Sequence, residues 1–409
     1  MINKVFFLKN VYHSLRRYFA CKWLSLFHPI QIGITGSQGK TNTTEIVTKV
    51  LEKFGNTVRT DVKLDTTYNV PITALRVRPY TEFIVWELGI DHPGEMDHHH
   101  EIASPSISCV TGISSVHTDK EHMGSMEVYV KEKRKIIEHL NEGGTAVLNF
   151  DNKYTKSMAG FTKANVLFFG SSKDCDFYID QHSITVDLEG TKGTCYFRDK
   201  NSIKKLEIKT GLIGAFHFYN IACSFLLVQS ALPDKDISKI FINVVSKLKP
   251  LAGRMSVDQG PLDTVLLNDS LRANPESTKA GLETLSSIDY KKGRKIAVIG
   301  EMGELEDPEK EHRDTGRILK NLNIDYIICI GKLRKFTIDQ ALKDGLSKDK
   351  IHYADNVFDA YEFLKNFLKK DDLWYLKGSL LRNYNRILKL LNGEDVCCHE
   401  TLCPYEHCK

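Results

Sequence analysis

The sequence predicts an α/β protein: a phosphate-loop central domain with a parallel sheet and a small antiparallel subsheet, followed by a Rossmann-like C-terminal domain. Three observations carry this. At 31–44, QIGITGSQGKTNTT, a short apolar run feeds a glycine-bracketed lysine and then a helix-spaced segment. Apolar runs of strand length alternate with helix-spaced ones through 83–149 and again through 264–391, the rhythm of parallel sheets with crossover helices. Between 166 and 208 the rhythm changes to short alternating runs with polar turns (FYIDQHSITVDL, GTCYFRD, KKLEIK), which marks the antiparallel subsheet.

The bulk numbers exclude several classes. A chain of 409 residues with 42% hydrophobic and 26% charged residues has an ordinary globular composition, enough for two or three domains. Lysine plus arginine (56) nearly balance aspartate plus glutamate (52), so no large basic face for nucleic acid is expected. No run approaches the roughly 18 apolar residues that span a bilayer, and no secretory signal is evident, so a cytoplasmic location is expected. Cys109, Cys223 and Cys329 sit in apolar runs, as reduced core thiols do.

In chain order, residues 1–30 mix basic with aromatic and aliphatic positions and predict an amphipathic helix. Its apolar side is expected to pack on the nucleotide domain, with a membrane-surface or partner contact as the alternative. The central domain is expected over 31–250. Residues 31–35 form its first strand. Gly36, Ser37, Gln38 and Gly39 form a tight loop whose amides can face an anion, and Lys40, Thr41 and Asn42 open the helix behind it. Ile34 stands where the general phosphate-loop pattern has its first glycine. A triphosphate needs close backbone approach, a lysine and a hydroxyl for Mg²⁺, and this segment offers all three.

FIVWEL at 83–88 is a buried strand that delivers Glu87 to its carboxyl end, where α/β sheets bind ligands. That makes Glu87 a candidate Mg²⁺ ligand. The strand at 107–111 leads to a loop with His117, Asp119, Glu121 and His122, and a helix over 128–140 carries Lys133. A further strand, 145–149, is followed by the subsheet, by an apolar helix opened by GLIGAFHFYN, and by a hinge at 250–255, PLAGRM. A second doubly wound domain is expected over 251–393. It contains no G-x-G-x-x-G, which argues against a dinucleotide site. The tail, 394–409, brings Cys397, Cys398, Cys403 and Cys408 together with two histidines. A Zn²⁺ site, free thiols and a redox pair remain open there, because the spacing is not that of paired C-x-x-C knuckles.

From 31 to 391 these pieces resemble the Mur ligase family, ATP-dependent ligases that join amino acids to peptidoglycan precursors, and within it the branch that adds D-alanyl-D-alanine. The resemblance is carried by ITGSQGKT, WELGIDHPGEM, SSVH with MGS and VKEKRKII, LNFDN, GAFHFYN, PLAGRM, LNDSLRANPES, IGEMGELEDPEKEH and LKGS, in that order. It implies activation of a substrate carboxylate by ATP as an acyl phosphate, then attack by an amine. It further implies that Gly36, Gly39 and Lys40 hold the phosphates, that Thr41 and Glu87 bind Mg²⁺, and that His117 helps bind a second ion. Lys133 would be the lysine that several relatives carbamylate. Asn220 and His217 would meet adenine, Arg254 the phosphates and Asp269 the ribose. Asn274 and Lys377, Gly378 and Ser379 would close over nucleotide and acceptor.

Four departures from the pattern stand out. His217 stands where asparagine is common. The loop after His117 is about two residues longer than usual, making His122 a rival ligand. Arg272 replaces a smaller polar residue. Only residues 1–30 precede the phosphate-loop strand, without the family's UDP-sugar domain. The substrates the resemblance implies are a nucleotide-linked peptide of peptidoglycan-precursor type with D-alanyl-D-alanine or a similar amino acid or dipeptide, whereas the missing domain favours another carboxylate. A stand-alone ligase with another carboxylate, or an ATP-binding regulatory subunit of an amidotransferase complex, is the alternative.

Overall fold

The computed structural model describes residues 2–61, 66–200, 202–379, 382–396 and 398. Helix α1 (Ile2–Leu24) comes first. Its C-terminal end packs on the central domain: Ala20 and Leu24 are buried, and Trp23 Nε1 donates to the Val77 carbonyl at 2.9 Å. Tyr12, Leu15, Tyr18 and Phe19 stay exposed. No helix among the described residues is long and apolar enough to cross a membrane.

The central domain continues with β1 (Ile30–Thr35), α2 (Lys40–Leu51), β2 (Thr57–Arg59), α3 (Thr66–Arg76), β3 (Phe83–Glu87), α4 (Glu95–His100), β4 (Ile107–Val110), α5 (Met126–Glu138), β5 (Thr145–Asn149) and α6 (Lys153–Met158). After these come β6 (Asn165–Gly170), β7 (Phe177–Ile179), β8 (Thr185–Asp187), β9 (Gly190–Asp199), β10 (Ser202–Thr210), α7 (His217–Ala231) and α8 (Ser238–Ser246). The strands form one 10-stranded sheet in the order β10-β9-β7-β6-β5-β4-β1-β3-β2, with β8 on β9. β1 is central and parallel to β3 and β4. It is covered on both faces, so Ile32 and Ile34 are fully buried, worth about 1.5–3 kcal/mol each. One face packs against α2, α7 and α8, the other against α3, α4 and α5.

The three-residue β2 is an edge strand too short to show any periodicity. The expected antiparallel subsheet is joined to the main sheet: β6 and β7 continue the parallel order, and the antiparallel β8, β9 and β10 extend it.

The C-terminal part contains β11 (Ser256–Gln259), β12 (Val265–Asp269), α9 (Pro275–Ser287), β13 (Lys295–Gly300), α10 (Pro308–Leu319), β14 (Tyr326–Ile330), α11 (Arg334–Lys343), β15 (Ile351–Ala354), α12 (Val357–Phe367), β16 (Leu373–Lys377) and α13 (Asn385–Leu391). Its sheet order is β11-β12-β16-β13-β14-β15, parallel except for β11. Ile213, Val186, Leu188 and Phe216 of the central domain join the core of this second domain. Apolar contact therefore holds the two sheets with their ligand-binding edges facing one another. Cys397, Cys403 and Cys408 lie outside the described residues. Cys398 is a free thiol whose carbonyl accepts from Arg386 at 2.7 Å.

Candidate active site

The phosphate loop is built where β1 ends. Gly36 and Gly39 have φ of +146° and +82°. A Cβ would lie 2.0 Å from Thr111 Oγ1 at Gly36, and 2.4 Å from Asn220 Oδ1 at Gly39, so both backbone angle and space require glycine. Helix α2 starts without a side-chain cap, which leaves its first amides for an anion. Ser37 is fixed instead of exposed: its amide donates to the Gly112 carbonyl at 2.8 Å and its hydroxyl lies 3.1 Å from Tyr129 Oη. Thr41 Oγ1 donates to Glu87 Oε1 at 3.1 Å, because β1 and β3 are neighbours and end together.

Cations converge on this loop. Lys40 Nζ donates to the Gly36 carbonyl at 2.7 Å. Burial, then Arg272 and more weakly Arg254, push the ammonium down to about 8 against the pull of Glu87 and Asp91. Arg254 is lowered for the same reasons, burial first and Arg272 second. Crowded, mutually repelling cations at a cleft are poorly satisfied until a polyanion arrives. Lys133, on α5, is 1% exposed. Burial, then Lys40, hold its amine well below the ordinary lysine value, and Nζ lies 4.7 Å over the Tyr129 ring. No hydrogen-bond or ion-pair partner for it is found among the described residues.

A cleft of about 530 Å³ runs between the two domains. Ser37 to Asn42, His217, Asn220, Arg254, Asp269, Asn274 and Lys377 line it, together with Arg272. Burial brings His217 down to about 3, so its ring is neutral, and its buried Nε2 has no hydrogen-bond partner among the described residues. Some side chains already have structural work. Lys377 Nζ donates to Asp269 Oδ2 at 2.6 Å and Tyr375 Oη to the same oxygen at 3.0 Å. Asn274 caps α9, accepting from the Ser277 amide at 2.8 Å. Gly378 packs where a Cβ would meet Tyr384 Cδ2 at 2.6 Å, and the buried Ser379 hydroxyl has no hydrogen-bond partner among the described residues.

A second cavity of about 830 Å³ adjoins the first and shares Asp151, Asn152, Glu276 and Lys279 with it. Glu306, Asp307, Glu311 and Asp314 give its far side an acidic lining.

His117 stands between two carboxylates. Its Nδ1 lies 2.9 Å from Glu304 Oε2 and its Nε2 3.4 Å from Asp91 Oδ1. His122 sits beside it, ring centroids 5.3 Å apart. Asp91, Arg272 and Glu304 were missed as site residues. Each stands inside a motif quoted above, but no spacing along the chain says that they meet.

Fold and site together define an ATP-dependent ligase that forms amide bonds. Residues 34–228 match the family model described as Mur ligase middle domain, and residues 253–380 the one described as Mur ligase, glutamate ligase domain; the chain belongs to the Mur ligase family. Among curated relatives it resembles the UDP-N-acetylmuramoyl-tripeptide–D-alanyl-D-alanine ligase of Mycobacterium tuberculosis (strain CDC 1551 / Oshkosh), 27% identical over 384 residues, 90% of this chain and 73% of the relative. The same enzyme of Escherichia coli K12 is 29% identical over 305 residues, 74% of this chain and 64% of the relative. Among solved structures, the MurF ligase of Thermotoga maritima in complex with ADP has a TM-score of 0.76 at 25% identity, covering 93% of this chain and 84% of that one. MurF of Acinetobacter baumannii has a TM-score of 0.78 at 22% identity, covering 93% and 79%.

Proposed function

We propose that this ligase joins D-alanyl-D-alanine, or a similar amino acid or dipeptide, to the carboxylate of a peptidoglycan-type precursor in the cytoplasm. The observation that carries the reading is the cation cluster of Lys40, Arg254 and Arg272 over a phosphate loop, beside the Thr41–Glu87 pair. ATP supplies the phosphoryl group that activates the carboxylate as an acyl phosphate. Lys40 and the loop amides hold the phosphates, and Arg254 and Arg272 neutralise charge from the second domain. The hydroxyl of Thr41 and carboxylate of Glu87 are hard oxygen donors and fit Mg²⁺, which supplies further charge neutralisation.

His217 and Asn220 meet the adenine, and Asp269, held by Lys377 and Tyr375, takes the ribose. The acidic second cavity suits an incoming ammonium group, and the orphaned Ser379 hydroxyl is free for the acceptor. Lys133 fits carbamylation. Burial lowers the proton affinity of this amine and so favours the free base, and N–C bond formation between that free base and CO₂ releases one proton and leaves an anion facing Lys40 and Arg272. Closure of the two domains keeps water from the activated carboxylate.

The test is phosphate release from ATP and Mg²⁺, screening UDP-N-acetylmuramoyl-tripeptide with D-alanyl-D-alanine against other carboxylate–amine pairs, with products identified by mass. Release that requires both substrates and yields the pentapeptide is expected. Release only with another pair replaces the substrate. Tight ATP binding without release under any pair overturns the ligase reading.

A further inference from the structure

We propose that the outward face of α1 is a docking surface for an anionic lipid membrane, on which the ligase lies without crossing it. The helix is seated with two of its cations inward and its rings outward. The Arg16 guanidinium lies 5.8 Å from the centre of the Tyr68 ring on α3, and Arg17 pairs with Glu101, just past α4, at 2.8 Å. Tyr12, Leu15, Tyr18 and Phe19 face away from the domain, and Leu26 follows just past the helix end; each is between 51% and 65% exposed. Tyr12, Leu15, Phe19 and the exposed Lys22 stand three and four residues apart, so they form one stripe along the helix. In the sequence Val5 and Leu8 continue the same spacing.

Charge decides what covers this face. Residues 1–30 hold Lys4, Lys9, Arg16, Arg17 and Lys22 and no aspartate or glutamate. Residues 66–81, which form α3 and the turn after it, add Arg76 and Arg78 and again no acid. Both arginines are exposed, and Tyr80 beside them is 67% exposed. The corner is thus purely basic in a chain whose overall balance is only +4. The acids on the adjoining α4 side are already engaged, Glu101 by Arg17 and Asp97 by Lys135. A second copy of α1 would bring like charges together, which disfavours a helix pair. An anionic bilayer surface attracts lysine and arginine, and it takes tyrosine and phenylalanine rings at the level of its headgroups.

The placement suits a surface contact. Ala20 and Leu24 are buried and Trp23 Nε1 donates to the Val77 carbonyl, so the helix is anchored to the domain by the side opposite its outward rings. Among the described residues no part of α1 lines either interdomain cavity, so nucleotide and substrates keep their access when the face is covered. The inference does not rest on which carboxylate the ligase uses.

The experiment is sedimentation of the full chain with vesicles, either of phosphatidylcholine alone or of phosphatidylcholine and phosphatidylglycerol in equal parts, with no nucleotide present. Partition onto the anionic vesicles should exceed that onto the neutral ones by about tenfold or more, and added salt should reverse it. Leu15→Ser with Phe19→Ser should weaken partition by about tenfold or more, and Lys22→Glu by about fivefold or more. Because these side chains are exposed, thermal melting and ATP affinity should match those of the wild type. Equal partition onto both kinds of vesicle, binding to neither, or binding that the Leu15→Ser, Phe19→Ser variant retains in full overturns the proposal. A dimer that Phe19→Ser dissociates, in a chain that ignores the vesicles, overturns it too and gives the face to a second copy.

Discussion

Raising the pH should loosen nucleotide binding through Lys40, and the structure sets the size of the effect. The free lysine titrates at about 8, because burial and then Arg272 depress it. A bound triphosphate would return it toward its ordinary 10.5. At about 1.36 kcal/mol for each tenfold change in proton affinity, full return is worth roughly 3.4 kcal/mol to the complex with charged lysine. The bound form holds the proton more tightly, so affinity is full below about pH 8 and falls with rising pH until the bound lysine itself loses its proton. From about pH 7.5 to 9.5 the loss should be about 20-fold, with uptake of about 0.9 proton on binding near pH 9. Calorimetry with ATP and Mg²⁺, without carboxylate substrate, in buffers of different ionisation heat measures both quantities. Lys40→Arg, charged throughout, should bind with little pH dependence. A wild-type affinity that stays flat over this range, without proton uptake, would refute the reasoning.

Two other substitutions probe the same charge cluster. Arg272→Asn removes the largest charge that depresses Lys40, so the pH midpoint for loss of nucleotide affinity should move above 8; an unmoved midpoint would mean that burial alone sets it. Lys133→Ala should cut turnover by about 100-fold or more, the scale of losing one preorganised electrostatic group. If carbamylation makes that lysine an anion, a short-chain carboxylic acid should restore part of the rate, and absence of any rescue would leave Lys133 an unmodified buried amine.

The local parts of the molecule were legible because their physics is local. The 31–44 stretch holds strand, turn glycines, lysine and helix in sequence, and the structure folds it as β1, loop and α2. Glu87 could be placed opposite Thr41 because parallel strands that are neighbours end at the same edge. The long parallel strands and most crossover helices carried their own periodicity. The three-residue β2 carried none.

What the sequence determined by itself, then, is the family, the order of strands and helices, and a phosphate loop with a lysine, a hydroxyl and a carboxylate. Only the tertiary structure decided how charge is distributed around them. Arg272 acts on Lys40, and Glu304 on His117, across a domain boundary. Lys377 and Asn274 line the cleft, yet Lys377 is already bonded to Asp269 and Asn274 already caps α9. Backbone pattern depends on neighbours a few residues away, whereas burial, repulsion and shared ligands depend on residues brought together only when both sheets are folded and docked.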